Sequence, residues 1–115
     1  MPRNALVVRG GWDGHAPVAA TELFIPFLER EGFTVRVEES NEVYEDEALL
    51  ESTDLIVQTV TMSTIERSAF EKLRAAIEDG TGFAGWHGGI ADSYRNNSDY
   101  LHMVGGQFAT HPGKP

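Results

Sequence analysis

The chain contains no cysteine. Disulfides, thiolate metal sites and a cysteine nucleophile are thereby excluded, and the composition suits a reducing, cytoplasmic setting. Basic residues are scarce: 9 Lys and Arg stand against 18 Asp and Glu, a formal net charge of -9. The few cations form no run able to track a phosphate backbone, and an acidic surface repels nucleic acid and anionic lipid alike. Neither nucleic acid nor membrane is therefore an expected partner, while neutral or cationic small molecules remain. Long apolar runs are missing too. The N-terminal stretch Ala5-Leu6-Val7-Val8 stops at Arg9, too short for a membrane span and without a signal-peptide cleavage pattern. What is left is ordinary: 115 residues, 41% hydrophobic and 23% charged, suited to one soluble folded domain and too short for two.

Hydrophobic periodicity orders the chain as alternating strands and helices. Ala5 to Val8 is a continuous β-prone run closed by Arg9-Gly10-Gly11, the pattern of a buried strand. Pro17 to Glu31 reads as a helix with Ala20, Phe24, Phe27 and Leu28 on its inward face, kinked at Pro26 and stopped by Gly32. Phe33 to Val37 alternates like a strand with one wetter face. Glu45 to Glu51 is a short acidic helix, and Asp54 to Gln58 a second buried strand. Ser63-Thr64-Ile65-Glu66 has the form of a capping box opening a helix that runs to Asp79, with Phe70, Leu73 and Ile77 inward. Phe83 to Trp86 is a fourth strand, and Ser98 to Val104 a last helix preceded by the cap-like Asn96-Asn97. Such alternation implies right-handed crossovers and a mainly parallel sheet covered on both faces. The expected fold is an α/β, flavodoxin-like three-layer sandwich with strand order 2-1-3-4.

In open parallel sheets ligands gather beyond the carboxyl ends of the strands, where strand order reverses. The unusual composition of this chain collects on that edge. Gly85-Trp86-His87-Gly88-Gly89 has the glycine-flanked form of a nucleophile elbow, a strained strand-to-helix turn whose central side chain is presented to a ligand. Histidine there suits a general base, a metal ligand or a donor to a substrate oxygen; the plainer reading is a glycine turn with a solvent-facing ring. The loop after the first strand, Gly10-Gly11-Trp12-Asp13-Gly14-His15, offers backbone approach at Gly11, a flat apolar face at Trp12 and polar ends at Asp13 and His15. Asp13 equally suits a cap on the following helix. The loop has neither a Walker lysine nor GxGxxG spacing, so it is no phosphate loop.

Other polar residues extend the candidate site. Asp92 can orient His87 or cap the turn, and Gln107 lies on the terminal loop. His111, with His15 and His87, makes a three-nitrogen set with an open position, suited to a divalent metal such as zinc; separate surface histidines are the plainer reading. His102 is expected to pack or face water.

Three segments together carry a resemblance: Ala5 to His15, Gly82 to Asp92, and Tyr100 to Pro112 with Val104-Gly105-Gly106-Gln107-Phe108-Ala109-Thr110-His111-Pro112. In this order, with the Trp86-His87-Gly88-Gly89 element at a strand end, they resemble the ThuA-like trehalose-utilisation family. The resemblance implies the class I glutamine amidotransferase-like fold, with His87 standing where that superfamily has its cysteine, and hence no glutamine hydrolysis. It implies a role in bacterial catabolism of trehalose, related glucosides or their 3-keto derivatives. If active, the protein would be an isomerase, lyase or hydrolase, with His87 as acid/base or metal ligand. Its substrate-binding residues would be Gly11, Trp12, Asp13, His15, Trp86, Gly88, Asp92 and Gln107. The chain resembles the N-terminal half of that domain, so an uncovered sheet edge and self-association into a homo-oligomer are expected. A non-catalytic sugar- or partner-binding domain on the same scaffold is the alternative.

Overall fold

The computed structural model describes residues 3–106. Its centre is a parallel sheet in the order β2-β1-β3-β4, as the alternation of elements implied. β1 (Arg3–Gly11) and β3 (Leu55–Thr61) form the middle pair, flanked by β2 (Phe33–Glu38) and β4 (Gly82–Gly85). Ala5, Leu6, Val7 and Val8 are almost wholly buried because both faces of a central parallel strand are covered. The two central strands run further than their apolar cores. Arg9, Gly10 and Gly11 pair with Thr59, Val60 and Thr61, so polar and glycine residues read as loop belong to the ladder.

Among the described residues α1 (Pro17–Arg30) covers one face, where Ala5, Val7, Leu28 and Val57 meet. On the other face α2 (Glu47–Glu51), α3 (Arg67–Glu78) and α5 (Ser98–Val104) close over Leu6, Val8, Ile56 and Val60. A one-turn 3-10 segment precedes α1 at Asp13–His15, and another, Asn41–Glu45, precedes α2. The acidic helix expected over 45–51 is therefore two elements joined at Asp46, whose carboxylate accepts from the Leu49 amide at 3.0 Å.

Two local expectations fail. The Ser63–Glu66 capping box does not form: α3 begins at Arg67, with Glu66 at the cap position in extended backbone and no side-chain cap bond. The Ser63 amide instead donates to the Ser93 carbonyl, which ties this segment to the loop after α4 (Gly88–Ala91). On α1 the inward residues are Pro17, Thr21 and Leu28, while Phe24 and Phe27 are 37% and 43% exposed. Thr21 is buried because its hydroxyl bonds the Pro17 carbonyl and accepts from Arg9 Nη1, which turns the helix away from its aromatic stripe. Pro26 lies within α1 as expected, on an exposed position. No helix among the described residues is long and apolar enough to cross a membrane.

Candidate functional site

Chain direction puts the ends of β1, β3 and β4 on one edge. β4 ends at Gly85 and α4 starts at Gly88, so Trp86 and His87 are the whole connection. His87 takes φ 51 and ψ -139, a positive-φ conformation that side chains avoid. This is the strained strand-to-helix bend expected of the glycine-flanked motif. Its carbonyl accepts from the Ala91 amide at 2.9 Å, and the ring is left exposed at the tip.

β1 delivers the second part. Gly11, at φ 77, passes so close to β3 that a Cβ there would overlap the Thr61 carbonyl oxygen. The chain then turns, with the Trp12 amide bonded to the Thr61 carbonyl at 2.9 Å, and brings His15 back over the end of β3. His15 Nδ1 lies 2.9 Å from Thr61 Oγ1, so ligand chemistry at this ring falls to Nε2. Its Cε1 faces Gly88, where an added Cβ would come within 2.7 Å.

These two routes converge. The His15 and His87 ring centroids are 5.1 Å apart, edge to face, and Trp12 stands 4.8 Å from His15 in the same manner. His15, Thr59, Trp86, His87 and Gly89 line a cleft of about 130 Å³. That volume admits one reacting centre with its substituents, and the rest of a sugar would lie over the rim. Trp12 is 49% exposed there, and Trp86 is half-buried with Phe24 5.6 Å from its ring. A larger groove of about 470 Å³ lies between α2 and α3, but it has no imidazole, and Lys72 there is ion-paired to Glu45 and Glu47. Its size does not outweigh the chemistry gathered at the strand ends.

The structure separates the remaining candidates. Asp92 does not orient His87: it is buried beside Arg95, which donates to both its carboxylate oxygens at 2.5 and 2.8 Å, and its carbonyl accepts from the Met62 amide. Asp13 does not cap α1; Ala16 occupies the cap position, and only the Asp13 carbonyl is used, by the Ala16 amide at 2.8 Å. Asp13 itself is exposed, as is His102 on α5. Asn97 does cap α5, accepting from the Tyr100 amide at 2.9 Å. Gln107 and His111 lie outside the described residues. Among the described residues no group of three or more His, Asp or Glu is placed to hold a metal. His15 and His87 supply two of the three nitrogens expected of such a site, and the third, His111, lies outside the described residues.

Thr59 lines the cleft and Thr61 bonds the His15 ring, although no motif in the sequence marks either of them. Their signal is one of position: they follow the apolar run of β3 on the ligand-bearing edge, and a threonine pair there is either ladder or lining.

The chain matches the family model ThuA, trehalose utilisation, over residues 4–115. No curated protein matches it. Its fold is similar to the crystal structure of a ThuA-like protein from Bacteroides uniformis, with a TM-score of 0.73 and 18% sequence identity. That likeness covers 92% of this chain and 45% of the other, so the present chain spans less than half the length of its structural relative. With a histidine-bearing bend after β4 and a family match over nearly its full length, the chain belongs to the ThuA, or trehalose utilisation, family.

Proposed function

We propose that this chain supplies the reacting end of a carbohydrate-catabolic protein acting on trehalose, a related disaccharide or a 3-keto glucoside. The observation that carries this reading is the meeting of His15 and His87, 5.1 Å apart, in a cleft lined by Trp86, with Trp12 edge-on to His15. The exposed Trp12 indole suits the apolar face of a sugar ring, and an imidazole suits proton transfer at near-neutral pH. In a 3-keto sugar the carbon next to the carbonyl carries an acidic hydrogen. His87 would take that proton as the C–H electrons move into an enediolate, and His15, through Nε2–H, would donate a hydrogen bond to the developing oxyanion. Return of the proton elsewhere gives isomerisation; departure of the glycosidic oxygen gives elimination.

The chain has no thiol and so offers no cysteine nucleophile for glutamine hydrolysis. His111 would add a third nitrogen to His15 and His87 for a divalent metal such as zinc, which would polarise the sugar carbonyl. Substitution of His87 by Ala, in the polypeptide that carries this domain, should lower turnover of 3-keto-trehalose at least about a hundredfold, the usual weight of a general base. Unchanged turnover would remove His87 from the chemistry.

A second reading, a sugar-binding module without catalysis, draws on the exposure of His87 and the lack of a hydrogen-bonded partner for its ring among the described residues. Binding of trehalose and 3-keto-trehalose without any product would favour it. In either reading we expect the chain to self-associate, since β4 pairs only with β3 among the described strands.

A further inference from the structure

A strained bend persists only where its surroundings over-determine it. The helix that follows His87 spans only Gly88–Ala91, too short to hold itself by its own hydrogen bonds. What holds it lies underneath, on β3. Gln58 is completely buried at the centre of the sheet, in register with Val8 of β1 and Gly85 of β4. Its amide nitrogen donates to Ser93 Oγ and to Tyr100 Oη, each at 2.9 Å. Its amide oxygen accepts from Tyr44 Oη at 2.7 Å and from Tyr94 Oη at 3.3 Å. Both hydroxyls that accept from Gln58 pass their own protons onward to the backbone of α4. Ser93 Oγ donates to the Gly89 carbonyl at 3.0 Å, and Tyr100 Oη donates to the Ile90 carbonyl. Tyr100 Oη also lies 3.3 Å from Ser93 Oγ, so the two hydroxyls form one connected group under α4.

We propose that Tyr100 and Ser93, anchored on Gln58, are positioning residues that hold α4 by two carbonyl oxygens and so set the place of the His87 imidazole above the cleft. The device is independent of which sugar, or which reaction, the site serves. It joins α5 to the bend through one side chain, although Tyr100 lies thirteen residues beyond His87 in sequence. Tyr44 provides an internal contrast, since it bonds the same glutamine but makes no bond to α4.

The test reads the ring itself. In the complete chain, long-range proton–nitrogen correlation spectra resolve the imidazoles, with exposed His102 as reference. Tyr100→Phe and Ser93→Ala should each shift or broaden the His87 signals, while Tyr44→Phe should leave them where they are. Where turnover is measurable, the first two should lower kcat about tenfold with KM little changed, the pattern of a misplaced reacting group rather than lost binding. His87 signals that stay fixed in both Tyr100→Phe and Ser93→Ala would overturn the proposal, as would an equal displacement in Tyr44→Phe. Should Tyr100→Phe fail to fold, Ser93→Ala decides the matter alone. Failure of the carbohydrate reading would leave these spectral outcomes untouched.

Discussion

At position 87 the backbone adopts a conformation better suited to glycine, yet the residue is a histidine. Residues held this way cost about 1–3 kcal/mol each, and the exposed ring buries too little surface to return it. Replacing His87 by Gly should therefore raise stability by about 1 kcal/mol in denaturant unfolding while removing any function that needs the imidazole. A loss of stability would show that the ring is a packing element. Its neighbour behaves oppositely. Substitution of Gly88 by Ala sets a methyl group 2.7 Å from His15 Cε1, so the ring must leave Thr61 or the helix must shift. A cost of about 1–3 kcal/mol is expected, with the His15 imidazole signals displaced. Retained stability and an unmoved His15 would mean that Gly88 and His15 are not in contact. Both sites were legible as residues, because glycines around a single polar side chain at a strand end say where the chain bends. Asp92 was not. Its partner Arg95 sits three positions away and competes for the same carboxylate, and no pattern in a lone sequence ranks Arg95 above His87.

At the scale of elements, α5 is the piece on which the bend depends, and its start rests on one side chain. Removing the Asn97 cap by substitution with Ala should cost about 1 kcal/mol, read as a lower denaturant midpoint with an unchanged slope. An unchanged midpoint would assign the start of α5 to packing alone. The ends of α5 were readable in the sequence, since Asn97 before and Gly105 after it are strong local signals. The start of α3 departs from the local pattern for an equally physical reason. Ser63 and Glu66 have the right spacing for a box, but the Ser63 amide is taken by Ser93, a partner thirty residues away. α1 shows the same limit. Apolar spacing placed Phe24 and Phe27 inward, whereas the polar grip of Arg9 on Thr21 and Glu22 fixes the rotation of the helix.

For the molecule as a whole, strand order followed from the alternation of elements, because parallel strands need crossovers and crossovers have one hand. The tyrosine network under the site could not be read in this way, since Tyr44, Tyr94 and Tyr100 come from separate segments that only the fold brings together. The sequence contains 3 tyrosines, and all of them bond Gln58. Burial raises each hydroxyl above its ordinary value of 10.0, Tyr100 to about 12 and the other two upward as well. Between these limits the unfolded chain has lost tyrosyl protons that the folded chain keeps, so stability is intact below about pH 10 and falls as pH rises through about 12. Tyrosinate absorbance should appear together with loss of helical circular dichroism. A tyrosine that ionises near pH 10 with the fold intact would contradict the network.

The central claim is that the paired imidazoles at the strand ends form a sugar site. It is tested most directly by titrating the isotope-labelled protein with trehalose and with 3-keto-trehalose while following the histidine ring signals. His15 and His87 should shift together and saturably, His102 should stay fixed, and His87→Ala should weaken the effect at His15. Sugar-dependent shifts confined to other residues, or no shift at either ring at saturating sugar, would contradict it.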